Sequence, residues 1–240
     1  MTSSSAAFAV ALRDVRFSWP GQSRPVLDIA DLSIRPGERV FLSGPSGSGK
    51  STLLGLIAGI LRPDCGTIAV NGTALHAMSA SARDRFRGAE IGFIFQQFNL
   101  VPYLSMIENV LIPCHLSPRR QARARQRAST LRDAAAHLLE RLELAPALWE
   151  RPVTRLSTGQ QQRVAAARAL IGAPPLLIAD EPSSALDADR RDVFLKLLLN
   201  ECALAGSSLL FVSHDVGLAG AFSTALRLDD LNAAEQGETV

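Results

Sequence analysis

The chain has 240 residues, 47% of them hydrophobic, with a formal net charge of +2 and three cysteines. That length allows one large domain or a domain with a sizeable insertion, and the apolar share is enough for a substantial core. The near-balanced charge argues against a nucleic-acid binder that works by bulk electrostatics, and Cys65, Cys114 and Cys202 are too scattered for a disulfide framework or a metal cluster.

The opening MTSSSAAFAVALRDV lacks the basic start of a signal peptide and its apolar part is short. The alternation from Ala6 to Pro20 predicts a first strand instead. PVLDIADLSI continues in that style up to a Pro-Gly turn. RVFLSG is a short strand that runs into a glycine-rich loop, followed by the apolar helix STLLGLIAGIL. PDCGTIAVNG reads as turn, strand and second turn. From about residue 104 to 150 glycine is absent and Arg, Ala and Leu dominate, which predicts helices. The run PRRQARARQR is expected to form a solvated helix face, with a contact to anionic lipid or a partner as the alternative. After Pro174 the strand LLIAD, a helix over about 189–205 and the strand SLLFVSH alternate, the pattern of a parallel sheet covered on both faces. No segment approaches the ~18 consecutive apolar residues of a membrane span. The expectation is a cytosolic protein, with any span supplied by another chain.

Three stretches carry chemistry. GPSGSGKS, Gly44 to Ser51, has phosphate-loop spacing: Gly, four residues, Gly-Lys-Ser. Gly44, Gly47 and Gly49 let the backbone bend close to phosphate oxygens. Successive N–H groups and the N-terminus of the following helix form an anion pocket. Pro45, Ser46, Ser48 and Thr52 complete the candidate phosphate-binding set. Lys50 is placed to put its ammonium on the β- and γ-phosphates of a nucleoside triphosphate, and Ser51 offers a hydroxyl to Mg²⁺. The loop alone does not separate GTPases, kinases and transport ATPases. PPLLIADEP delivers Asp180 and Glu181 to the carboxyl end of a buried strand, where ligands bind in open α/β sheets. Asp180 suits Mg²⁺, and Glu181, one residue on, suits polarising a water. RLSTGQQQRVAAARAL opens a helix with Ser157 and Thr158, which either cap it or hold a ligand.

Phosphate loop, LSTGQ, LLIADEP, SSALD and FVSHD occur in that order. With these motifs the chain resembles the nucleotide-binding subunit of ATP-binding cassette transporters over roughly residues 8–228. The resemblance implies an α/β phosphate-loop core, a mostly parallel sheet with helices on both faces, an N-terminal antiparallel subdomain and an inserted helical subdomain. Its bounds would be 6–235 for the whole, about 6–95 and 172–230 for the core, and about 98–171 for the insertion. It implies that Trp19 stacks on adenine, with Phe17 as the competing ring. Gln96 would reach Mg²⁺ and the attacking water, with Gln97 competing, and Phe98, Leu100, Val101 and Tyr103 would line a permease-facing groove or be ordinary packing. Asp187 would close the loop that crosses a dimer interface, and His214 would contact the γ-phosphate.

The implied working unit is a head-to-tail pair of copies. Each ATP would lie between one phosphate loop and the other copy's Ser157, Gly159 and Gln160. The family pattern is Leu-Ser-Gly-Gly-Gln, so Thr158 is a departure. RFRGAEIGFIFQQFNLVPYLSMIENV resembles the lipoprotein-releasing, macrolide-exporter and cell-division branch. That implies a separate permease, a place on the inner face of the cell membrane, and export or extraction of a hydrophobic or lipid-linked substrate. Mechanical regulation of an extracytoplasmic enzyme is the alternative.

Overall fold

The computed structural model describes residues 8–22, 24–184 and 186–234. Ala6 and Ala7 of the expected first strand, Ala185 of SSALD and the proposed domain end at Glu235 lie outside them. The chain divides into two compact bodies, one running to Asp84 and resuming at Leu210, the other spanning Arg85–Leu209.

In the first body, β1 (Val10–Phe17) pairs antiparallel with β2 (Leu27–Ile34). Its buried residues are Val10 and Leu12, then Val15 and Phe17, so the inward parity slips by one between them. A bulge absorbs the slip: Asp14 sits at φ 51 and the register shifts between Arg13 and Arg16. β3 (Arg39–Ser43) is an almost wholly buried strand that feeds the glycine-rich loop and then α1 (Lys50–Ile57). The apolar run was expected to stay helical to Leu61. It stops earlier because Gly59 turns left-handed at φ 67 and Ile60 and Leu61 both donate to the Gly55 carbonyl. β4 (Cys65–Val70) joins β1 on its other side, and β5 (Thr73–Ala74) completes the order β2-β1-β4-β5.

α2 (Ala80–Glu90) carries the chain into the second body. There β6 (Ile91–Ile94) lies parallel to β7 (Leu176–Asp180), with Ile91 opposite Leu176 and Ile94 opposite Ala179. Between them come α3 (Met106–Leu116), α4 (Pro118–Arg125), α5 (Leu131–Arg141) and α6 (Thr158–Leu170), and α7 (Ala188–Ala205) follows. Three starts are reciprocal capping boxes: Ser105 with Glu108, Thr130 with Asp133, and Ser157 with Gln160. β8 (Ser208–Val212) is buried throughout. In the second body, the Ser208 N–H donates to the Pro175 carbonyl ahead of β7 at 2.8 Å; in the first, the Ser213 N–H donates to the Leu42 carbonyl of β3 at 3.2 Å. The first body ends with β9 (Thr224–Arg227), parallel to β3, and α8 (Leu228–Leu231).

The basic run departs from expectation. Arg119, Arg125 and Arg127 are exposed, but Arg120 is only 2% exposed. Its guanidinium donates to the carbonyls of Ala169 at 2.8 Å, Ile171 at 2.7 Å and Ile91 at 2.6 Å. Arg123 donates to the Ala89 carbonyl and pairs with Glu90. Burial pushes the Arg120 guanidinium down to about 10, still well above neutrality, so it stays charged. α4 therefore pins the C-terminal end of α6 to the start of β6. The expected solvated face holds only for its outer arginines.

Candidate nucleotide site

The first body builds its phosphate-loop residues largely from backbone. β3 ends at Ser43, the loop Gly44–Gly49 follows, and α1 begins at Lys50 without a side-chain cap, so the helix N-terminus opens onto the loop. Gly49 is the residue that sequence could not replace. It sits at φ 99, and a Cβ there would come within 3.0 Å of Leu27. Lys50 Nζ donates to the carbonyls of Gly44 and Pro45, each at 2.7 Å, and spans the two ends of the loop. An ammonium has three donors, so one remains for a ligand. Pro45, Ser46 and Gly47 are exposed, as is Ser51 at the second position of α1, and Thr52 is buried. Ser48 Oγ is buried without a hydrogen-bond partner among the described residues. A narrow turn rich in N–H groups, with a lysine and an orphaned hydroxyl, fits a polyphosphate.

Trp19 and His214 also belong to the first body. Phe17 is buried at 6% exposure, whereas Trp19 is 42% exposed and meets the Phe17 ring edge-on at a centroid distance of 5.1 Å. Of the two rings, only that of Trp19 is open to a base. His214 is exposed just beyond β8, where the Asp215 N–H donates to Ser213 Oγ at 3.1 Å.

The second body holds the acidic and signature residues. Asp180 ends β7, and Glu181 follows it in left-handed backbone at φ 46; both are half-buried. The carboxylate of Asp180 and the hydroxyl of Ser51 are hard oxygen donors, the chemistry that Mg²⁺ takes. Gln96 and Gln97 are both exposed in the turn after β6, which leaves both assignments open. Beyond that turn the four apolar candidates separate. Phe98 is 8% exposed and packs inside, while Tyr103 is 79% exposed; Leu100 and Val101 are intermediate.

At the mouth of α6, Ser157 Oγ accepts the Gln160 N–H at 3.3 Å and Gln160 Oε1 accepts the Ser157 N–H at 3.0 Å. The cap reading is therefore real, yet it leaves the Ser157 hydroxyl proton free to donate. The N–H groups of Thr158 and Gly159 have no acceptor within the helix. Thr158 is exposed, and a Cβ on Gly159 would meet nothing nearer than Leu186 at 3.8 Å. Asp187 caps α7, accepting the Arg190 N–H at 3.0 Å.

Sequence reasoning missed two residues on α6. Gln162 is fully buried, and its Nε2 donates to the Pro182 carbonyl at 2.5 Å. Arg168 donates to the carbonyls of Phe98 at 2.5 Å and Asn99 at 2.6 Å, holding the two residues after the Gln96–Gln97 turn. Burial lowers its pKa from the ordinary arginine value. A signal for Gln162 existed: it shares a helix stripe with Ala165, Ala166 and Ala169, an apolar line where a glutamine is out of place.

A family model described as ABC transporter matches residues 27–184, more than half of the chain. The chain is 42% identical over 206 residues to the lipoprotein-releasing system ATP-binding protein LolD of Maricaulis maris, covering 86% of each. It is 40% identical over 203 residues to the uncharacterized ABC transporter ATP-binding protein YbbA of Escherichia coli K12, covering 85% of this chain and 86% of that one. Among solved structures it is similar to the ATP-binding cassette MJ0796, in a dimeric post-hydrolysis state bound to ADP and Pi. The TM-score is 0.78 at 31% identity, over 96% of this chain and 100% of that one. The expected α/β phosphate-loop fold with an N-terminal antiparallel sheet is borne out. None of the helices in the described residues is long and apolar enough to cross a membrane. The chain belongs to the ABC transporter family, as an ATP-binding subunit with ATPase activity.

Proposed function

We propose that two copies sandwich two ATP molecules head to tail, and that the cycle of closing and opening drives a separate membrane permease. One cassette domain over 6–235, with its helical part over about 98–171, would do this work. The observation that carries the reading is the open mouth of α6. A capped helix start presents free N–H groups and an exposed Ser157, at a glycine whose missing side chain its own body does not require. An anion from outside the chain explains that glycine; local packing does not.

In this reading Lys50 and the N–H groups of Gly44–Thr52 bind the β- and γ-phosphates, and Trp19 stacks on the base. Ser51, Asp180 and Gln96 would hold Mg²⁺, which supplies charge neutralisation to the phosphates when bound. Glu181 accepts a proton from the attacking water, and His214 positions the γ-phosphate. Ser157, Gly159 and Gln160 of one copy receive the phosphate held by the other, and Asp187 lies at the edge of that contact. ATP favours the closed pair because its γ-phosphate has donors on both sides, a differential affinity that hydrolysis removes.

Glu181→Gln should keep ATP binding, lose roughly 10²- to 10⁴-fold in turnover, and accumulate a dimer in ATP, as read by phosphate release and sedimentation. Hydrolysis at the parent rate would end the general-base assignment.

We further propose a cargo that is hydrophobic or lipid-linked, moved from the inner face of the cell membrane. Support comes from the similarity to the lipoprotein-releasing protein of Maricaulis maris. Copurification from native membranes identifies the permease. Recovery of an extracytoplasmic hydrolase in place of a transport system would favour mechanical regulation instead.

A further inference from the structure

The turn after β7 is held in an unfavourable shape. Glu181 precedes a proline, which biases its backbone toward extended conformations, yet it sits in the left-handed region at φ 46. Such a residue keeps its conformation only when its surroundings over-determine it. Within the turn, the Ser184 N–H reaches the Glu181 carbonyl at a long 3.3 Å and the Leu186 N–H reaches the Ser183 carbonyl at 3.1 Å. A shorter bond comes from outside the turn, from Gln162 Nε2 to the Pro182 carbonyl at 2.5 Å.

Gln162 is an expensive residue for that place. It is completely buried, and its Oε1 has no hydrogen-bond partner among the described residues. The amide cannot be turned to relieve this, because a carbonyl accepts only from the nitrogen side. A methionine would fill similar space with no orphaned acceptor, so packing alone does not account for a glutamine here.

We propose that Gln162 is a positioning residue for ATP hydrolysis: through the Pro182 carbonyl it ties the turn bearing Glu181 to α6, the helix that begins at Ser157–Gly159. A change at the mouth of α6 then reaches the catalytic carboxylate through one buried amide in the second turn of the helix. The catalytic part of this inference rests on the reading of Glu181 as general base.

Gln162→Met removes the donor at similar length, and Gln162→Glu keeps a donor only while the carboxyl is protonated. For Gln162→Met we expect kcat to fall about tenfold with the KM for ATP within twofold of the parent, a threshold for readable change set by typical contributions of single hydrogen bonds. Amide hydrogen exchange at Ser183 and Ser184 should accelerate while that of β6 stays constant. For Gln162→Glu, activity relative to the parent should rise toward acid, because the neutral acid donates to the Pro182 carbonyl and the carboxylate repels it. Burial raises that carboxyl's pKa into the measurable range.

An unchanged kcat in Gln162→Met, a flat relative pH profile in Gln162→Glu, or kcat, KM and melting temperature moving together would overturn the proposal. If Gln162→Met does not fold, the Gln162→Glu profile decides alone. If the parent hydrolyses no ATP, or Glu181→Gln matches it, the functional reading fails. The exchange at Ser183 and Ser184 then still decides whether Gln162 holds the turn.

Discussion

The phosphate loop and α6 both present helix N-termini suited to phosphate, but they are made in opposite ways. The loop uses nine consecutive positions, Gly44 to Thr52, and Lys50 bonds its own neighbours Gly44 and Pro45. α6 is held by remote groups: Arg120 from α4, the Pro182 carbonyl beyond β7, and the carbonyls of Phe98 and Asn99 beyond β6. A local site tolerates loss of a side chain because its shape is backbone. A distributed one concentrates stability in a few distant bonds.

Arg120→Met gives the strongest test of that contrast. It leaves the carbonyls of Ile91, Ala169 and Ile171 buried without their donor, which should cost about 3 kcal/mol. In thermal denaturation that is a fall of roughly 6–12 °C in Tm. A loss under about 1 kcal/mol, within the range of a single ordinary hydrogen bond, would mean that α6 is held by packing rather than by this anchor.

Lys50→Ala should behave in the reverse sense. Binding of ATP, followed by calorimetric titration, should weaken by about 1.5–3 kcal/mol, the worth of a charge-assisted contact, with Tm nearly unchanged. Should the variant melt as early as Arg120→Met, Lys50 would be a structural brace for the loop, and the contrast would dissolve.

The smallest effect belongs to Thr158→Gly. Thr158 is exposed at the first position of α6, and its side chain has no part in the capping box of Ser157 and Gln160. Turnover should stay within about twofold, an energy below ~0.5 kcal/mol as for most surface substitutions. Dimer affinity in the Glu181→Gln background should shift slightly. A larger change in maximal turnover would make Thr158 part of the phosphate contact.

The same contrast sorts what was legible in the sequence. The strand-loop-helix around Lys50 could be read directly because its neighbours in space are its neighbours in the chain. The Asp180–Glu181 pair at the end of β7 was legible for a similar reason. Arg120 was not, since its three acceptors lie 49, 51 and 29 residues away and nothing local separates it from the exposed Arg119. α2 escaped because only Ala89 is buried on it, leaving no apolar stripe to count. For Phe98 the sequence leaves groove lining and ordinary packing open, and only its burial favours packing; β9, four residues long, is too short for a pattern.

The acceptors of Arg120 and Arg168 are all neutral carbonyls. Added salt weakens surface pairs such as Arg119–Glu90 and Arg132–Glu150, whose arginines are largely exposed. Salt removes neither a carbonyl lone pair nor an arginine proton. The second body thus keeps an inner frame indifferent to ionic strength, while the ion pairs on its outside weaken as salt rises.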